Sequence, residues 1–183
     1  AKAQMDRVYP VTGSAVTRTV VDVRPDGIVL KTGSTNRPFR IDELEKVTFE
    51  GDPPQLTRGR DFAVNGEYQS ALDQLKQLEI GSISREFIAA DAAFYLVAAQ
   101  ARLALAGQAD KETAVSGLRA FASKFQSSWH FFEAAELLGD LATASGDFEG
   151  AAKFYGALGR SKSPIVKTRA DYLSGVSLLR QGK

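Results

Sequence analysis

His130, in the run Trp129-His130-Phe131-Phe132, is the one imidazole in a chain of 183 residues. A histidine at a helix start could serve as a base or a metal ligand. With no second histidine, a His-rich metal site and a two-histidine mechanism are excluded within one chain, and packing against aromatic neighbours is the expected role. Asp42, Glu43 and Glu45 place carboxylates in the turn before a strand. Paired carboxylates can divide acid and base work, but consecutive acids in a turn are ordinarily solvated. The absence of cysteine removes thiol catalysis, disulfides and every cysteine-based metal or iron–sulfur site. The Gly-Ser turns at Gly13 and Gly33 lack the remainder of a phosphate-binding loop, and no Gly-x-Ser-x-Gly elbow is present. No catalytic constellation converges. The sequence calls for no cofactor and no metal, and the chain is expected not to be an enzyme.

Composition sets the remaining bounds. Hydrophobic residues at 44% and charged residues at 25% are those of an ordinary globular protein, and the length suffices for a sizeable core. The formal net charge of +1 excludes a bulk electrostatic partnership with nucleic acid or anionic lipid, though not a local patch. No uninterrupted apolar run of about 18 residues stands out, so no membrane span is expected. The opening Ala1-Lys2-Ala3 has the small-residue pattern of a signal-peptide cleavage site. Export to a periplasm-like compartment is expected on that basis, with the cytoplasm as the alternative.

The elements that must position any site change character near residue 52. Before Gly51 the apolar residues are mostly Val and Ile in short runs; after it they are Ala, Leu and Phe at helical spacing. The junction Gly51-Asp52-Pro53-Pro54 reads as a strand end followed by Asp52 as N-cap and Pro53 at the first helical position. Two domains are expected, 1–51 and 52–183. The first is predicted as five strands over about 7–11, 15–23, 27–31, 37–41 and 46–49, separated by glycine turns. The strand 15–23 alternates imperfectly, which a bulge or strong bend would reconcile. Five short strands are too few for a sandwich and suggest a small closed barrel.

In the second domain, Gly146-Asp147-Phe148 with Ala151 and Tyr155 matches Gly66-Glu67-Tyr68 with Ala71 and Leu75. Another glycine stands seven residues earlier in each case, Gly139 and Gly59, and Gly175 and Gly182 repeat the interval. A looser copy runs through Gly107, Ala114 and Leu118. Such recurrence lets small residues bring paired helices close while large residues fill the space between pairs. Helices are predicted over about 53–64, 68–78, 85–105, 111–125, 129–144, 148–158 and 164–180, with Ser84 a candidate cap of the third and Ser163-Pro164 opening the last.

On Leu138-Gly139, Gly146-Asp147-Phe148, Ala151 and Tyr155, residues 53–183 resemble tetratricopeptide-repeat proteins. On Asp6-x-Val8, Gly13, Val20-x-Asp22-Val23, Gly27-Ile28-Val29-Leu30, Ile41 and Val47-x-Phe49, residues 1–51 resemble the Sm-like or SH3-like barrel found before repeat domains in exported bacterial proteins. The expected fold class is therefore α+β: an N-terminal five-stranded small β-barrel followed by an α-solenoid of about three and a half TPR-like hairpins.

The resemblance implies a partner-binding groove along the first helices of the pairs. In that register Glu133, Glu136 and Asp140 share one helix face, and Phe94, Val97, Ala101 and Leu105 form an apolar strip beside them. Arg60, Arg169 and Arg180 adjoin from the neighbouring helices. The family's carboxylate clamp uses Lys and Asn where this chain has Glu136 and Asp140, so a basic or apolar protein segment is the expected occupant. The last helix, 165–180, is apolar on too many sides for a terminal cap and is expected to meet another chain, a second copy of this one, or a segment missing from this sequence. The expected function is a non-catalytic interaction adaptor, an accessory or assembly subunit of a larger complex. The alternative is a nucleic-acid-binding module using the barrel. Residues 1–51 hold 8 Lys+Arg against 7 Asp+Glu, and Tyr9 and Phe39 are few rings for a single-strand platform, so nucleic acid is the lesser expectation.

Overall fold

Thr19 divides what the sequence presents as one long strand. In the computed structural model, which describes residues 5–182, β1 (Asp6–Pro10) pairs antiparallel with β2 (Val16–Arg18) and with the last strand. After Thr19 the chain enters a different sheet: β3 (Val20–Arg24), β4 (Gly27–Thr32) and β5 (Thr35–Arg40) form a meander. A 3₁₀ turn, Ile41–Glu43, then leads into β6 (Leu44–Thr48). The strand orders are β2-β1-β6 and β3-β4-β5. The Ala1-Lys2-Ala3 pattern lies outside the described residues.

Six strands in two open sheets replace the expected five-stranded barrel. The reason is local. The Val20 N–H donates to the Asp6 carboxylate at 2.8 Å, and the same buried carboxylate accepts from Glu50 N and from Arg85. A side chain thus holds the crossing point, and β2 and β3 part there. Val8, Val20, Ile28, Leu30, Phe39, Val47 and Phe49 are buried in one apolar cluster with the helices, so the helices cover the inner faces of the sheets and closure is not needed to bury them. Gly27 ends the β3–β4 turn at φ 144°, where any side-chain carbon would strike the Phe39 carbonyl.

Seven helices follow: α1 (Pro54–Val64), α2 (Tyr68–Leu75), α3 (Glu86–Leu105), α4 (Lys111–Lys124), α5 (Phe131–Ala144), α6 (Phe148–Leu158) and α7 (Pro164–Arg180). Successive helices pack on one another, and α3 touches α1, α2, α4 and α5. Ser163 caps α7 with Pro164 in its first turn, as expected. Asp52 does not cap α1. Pro53 takes that position, and the Asp52 carboxylate instead accepts from Phe49 N and Arg60. Arg85, not Ser84, precedes the first turn of α3. By length and composition alone α3 could cross a membrane; here it is buried on almost every side by its neighbours.

The expected class, a barrel leading an open solenoid, is corrected to two three-stranded sheets packed with seven helices. The sheets lie across the helices and grip them at both ends. Near α1 and α3, Arg85 pairs with Asp6 at 2.6 Å and Lys46 with Asp61 at 2.6 Å. At the α6–α7 turn, Asp26 accepts from Ser161 Oγ and Lys162 N, both at 2.7 Å, and Ser163 Oγ donates to Asp42 at 2.6 Å.

Candidate binding cavity

A cavity of about 440 Å³ opens between the sheets and the helices, within the usual range for ligand sites. Ile41, Leu44 and Glu45 wall it from the sheet side. Ala63 and Val64 of α1 and Tyr68 of α2 close one flank, and Leu158, Val166 and Arg169 close the other. The floor is aromatic: Phe94 and Tyr95 from α3, Trp129 and His130 from the turn before α5, and Phe132.

Beneath this floor runs a buried ionic chain. Arg60 on α1 donates through Nε to Asp91 Oδ2 at 2.8 Å and through Nη1 to Asp52 Oδ2 at 2.8 Å. Asp91 on α3 meets His130 Nε2 through its other oxygen at 2.9 Å. His130 Nδ1 faces Glu133 at 3.4 Å, so carboxylates engage both ring nitrogens. The imidazole stacks on Phe94 at 3.8 Å with the planes 10° apart, and Trp129 covers it from another side.

Burial works against every charge in the chain, and the neighbours decide each outcome. For His130, burial disfavours the cation, but its hydrogen bonds to Asp91 and Glu133 outweigh that and raise the pKa. Asp91 is likewise penalised by burial, yet Arg60 and His130 hold its carboxyl below the usual range. Arg60 is held charged by Asp91 and Asp52 against the same penalty. Asp52, where burial dominates, is raised despite Arg60. Asp52, Asp91, Arg60 and protonated His130 together carry no net charge. The Trp129 indole N–H, also buried, finds no acceptor among the described residues.

The predicted groove residues separate into three environments. Glu133, Glu136, Arg169 and Phe94 meet at the cavity. Glu133 stands at the mouth with 48% of its side chain exposed, whereas Glu136 at 13% is clasped by Arg169 through two bonds of 2.5 Å. The acidic face is therefore partly neutralised from within the chain. Asp140 and Arg180 line a separate cleft between α5, α6 and α7. There Asp140 accepts from the Tyr155 hydroxyl at 2.8 Å, burial raises its pKa, and burial also lifts Tyr155 to about 12. Arg60 lies sealed under the floor rather than at a groove surface.

The strip Phe94, Val97, Ala101, Leu105 is not an exposed surface. Val97 packs toward Gly117 of α4, Ala101 is fully buried, and Leu105 packs against the core. The cavity side of α3 carries Tyr95, Ala98, Ala99 and Arg102, about one residue, or ~100°, around the helix. Because α3 is apolar all round, its pattern could not mark which side faces the cavity.

The sequence pattern points to neither Asp91 nor Trp129 as a binding-site residue, and to His130 chiefly as a packing partner of its aromatic neighbours. A signal existed for Asp91: it is the one charged residue between Glu86 and Arg102, and an acid alone in an apolar helix requires a buried partner. Among the described residues no cluster of three or more His, Asp or Glu side chains is arranged to hold a metal ion.

No family model, curated protein or solved structure matches the chain. With no match and no closed barrel, the resemblances to tetratricopeptide-repeat and Sm-like or SH3-like proteins are withdrawn. The export expectation gains no support from the comparisons.

Proposed function

We propose that this chain is a non-catalytic adaptor that holds a short apolar segment of a partner protein, carrying a basic residue, in the cavity between its sheets and helices. The observation that carries this reading is the cavity's make-up: an aromatic floor with a polar mouth at Glu45, Glu133 and Arg102. Its volume suits about three or four side chains. An apolar segment fits the floor, and a Lys or Arg beside it fits Glu133. The ionic chain below braces Phe94, Trp129 and His130 and leaves neither His130 nitrogen free for proton transfer to a substrate.

The nucleic-acid alternative draws less support. Phe39 is buried, and Arg7 and Lys46 lie over the Tyr9 ring at 5.1 and 4.7 Å, which leaves few faces for base stacking.

Peptide display against the intact protein tests the proposal. Enriched peptides should combine an aromatic or aliphatic pair with Lys or Arg, should alter Trp129 fluorescence, and should lose affinity at least tenfold against Glu133→Lys. Ala98→Trp, which fills the cavity, should abolish binding while circular dichroism shows the helices intact. Enrichment that survives Ala98→Trp, or no enrichment over that variant, refutes the assignment.

A further inference from the structure

Helix α7 buries Ala170 and Ser177 against its neighbours and leaves its other side bare. Ile165, Tyr172 and Leu179 are 62%, 69% and 74% exposed. Their spacing of seven places them on one stripe, together with Thr168 and Gly175. No stripe position carries a charge.

The fold shows twice what a glycine at such a position receives. Gly59 on α1 sits where any side-chain carbon would strike Leu75 of α2, and Gly139 on α5 stands in the same relation to Tyr155 of α6. In each pair an antiparallel helix sets a large side chain against the glycine. Gly175 on α7 shares their seven-residue distance to a following left-handed glycine, Gly182 at φ 75°, yet a carbon added to it meets nothing within 4 Å. Its place for a large side chain is open.

We propose that two copies of this chain associate through α7, antiparallel, with Tyr172 of each copy laid over Gly175 of the other. The stripe is self-complementary about a two-fold axis between Leu173 and Ser174. That axis brings Tyr172 to Gly175, Leu179 to Thr168 and Ile165 to Gly182, and each contact occurs twice, as an isologous interface requires. Exposed surface sets the strength. Ile165, Tyr172 and Leu179 offer roughly 400 Å² per copy, or about 800 Å² between two. Thr168, Val176 and the backbone at Gly175 bring the total near the ~1,000 Å² at which specific association begins. The interface is thus a weak one, with a dissociation constant on the order of 10 µM.

Sedimentation equilibrium of the full chain from about 1 to 500 µM reads this directly. A monomer–dimer equilibrium is expected, weakened at least tenfold by Tyr172→Glu, whose site is exposed in the monomer. Gly175→Ala is the sharper variant: its added carbon has free space in the monomer, so the melting temperature holds or rises, while the filled position weakens dimerisation. Glu133→Lys, at the cavity, should leave the equilibrium unchanged. A chain monomeric to 500 µM leaves the stripe to some other occupant and overturns the proposal. So does a dimer insensitive to both α7 variants, or one broken by Glu133→Lys.

Discussion

Replacing Asp91 by alanine removes the carboxylate that joins Arg60 to His130. Both its oxygens are in use, with Arg60 Nε at 2.8 Å and His130 Nε2 at 2.9 Å, and all three side chains are sealed from solvent. After the change, Arg60 keeps only Asp52, and His130 loses its closer carboxylate. Breaking a buried pair from one side costs about 3–5 kcal/mol, because the remaining charge stays desolvated without compensation. That is a large share of the ~5–15 kcal/mol by which domains are stable. With a urea slope of about 2 kcal/mol/M, the unfolding midpoint should fall by about 1.5–2.5 M with the slope unchanged. Replacing the pair together, as Arg60→Met with Asp91→Leu, should recover much of the loss, since apolar residues of similar size often substitute for buried ions without penalty. A loss below about 1 kcal/mol for Asp91→Ala, or a double variant worse than the single, would show that the ionic chain is not what holds α1, α3 and the start of α5 together.

Stability should also follow pH through the same groups. The His130 pKa is raised in the fold above its ordinary 6.5, so its contribution is complete below pH 6.5 and is lost as pH rises through the folded value. Asp91 is lowered from 3.8, so its contribution holds above pH 3.8 and is lost as pH falls through the depressed value. Urea midpoints should therefore peak between about pH 4 and 6.5, and Asp91→Asn should flatten the alkaline side. Gly139→Ala drives a carbon into the Tyr155 ring and should cost about 1–3 kcal/mol by overpacking, measured by thermal unfolding. Asp26→Ala removes the acceptor for Ser161 and Lys162. It should cost about 1–2 kcal/mol and speed amide exchange at the α6–α7 turn.

The glycines told most about the helices. Gly59 and Gly139 do meet large side chains of the following helix, because close approach leaves a period that can be read without coordinates. The strands were harder. Whether 15–23 is one bent strand or two depends on Asp6, nine or more residues away, and no local pattern announces that its carboxylate will hold Val20. At the cavity, Glu133 and Glu136 could be placed on one helix face because a spacing of three sets them there. The side of α3 could not, since every side of it is apolar. The repeat register puts Arg60 at the groove, whereas the fold seals it beneath the floor. Its burial rests on Asp52 and Asp91, eight residues before it and thirty-one after it.

The grip of the sheets on both ends of the helices has a consequence for how the protein is made. Bonds such as Asp26 to Ser161 and Asp42 to Ser163 join residues 135 and 121 positions apart, so they can form only after residues 161–163 have left the ribosome. Closing loops of that length is slow compared with winding helices. The first helices and the β3–β4–β5 meander can mature early, but the chamber between them acquires one flank only with α7. A nascent chain lacking α7 leaves the flank at Val166 and Arg169 open, so the cavity takes its full shape only once that helix is in place.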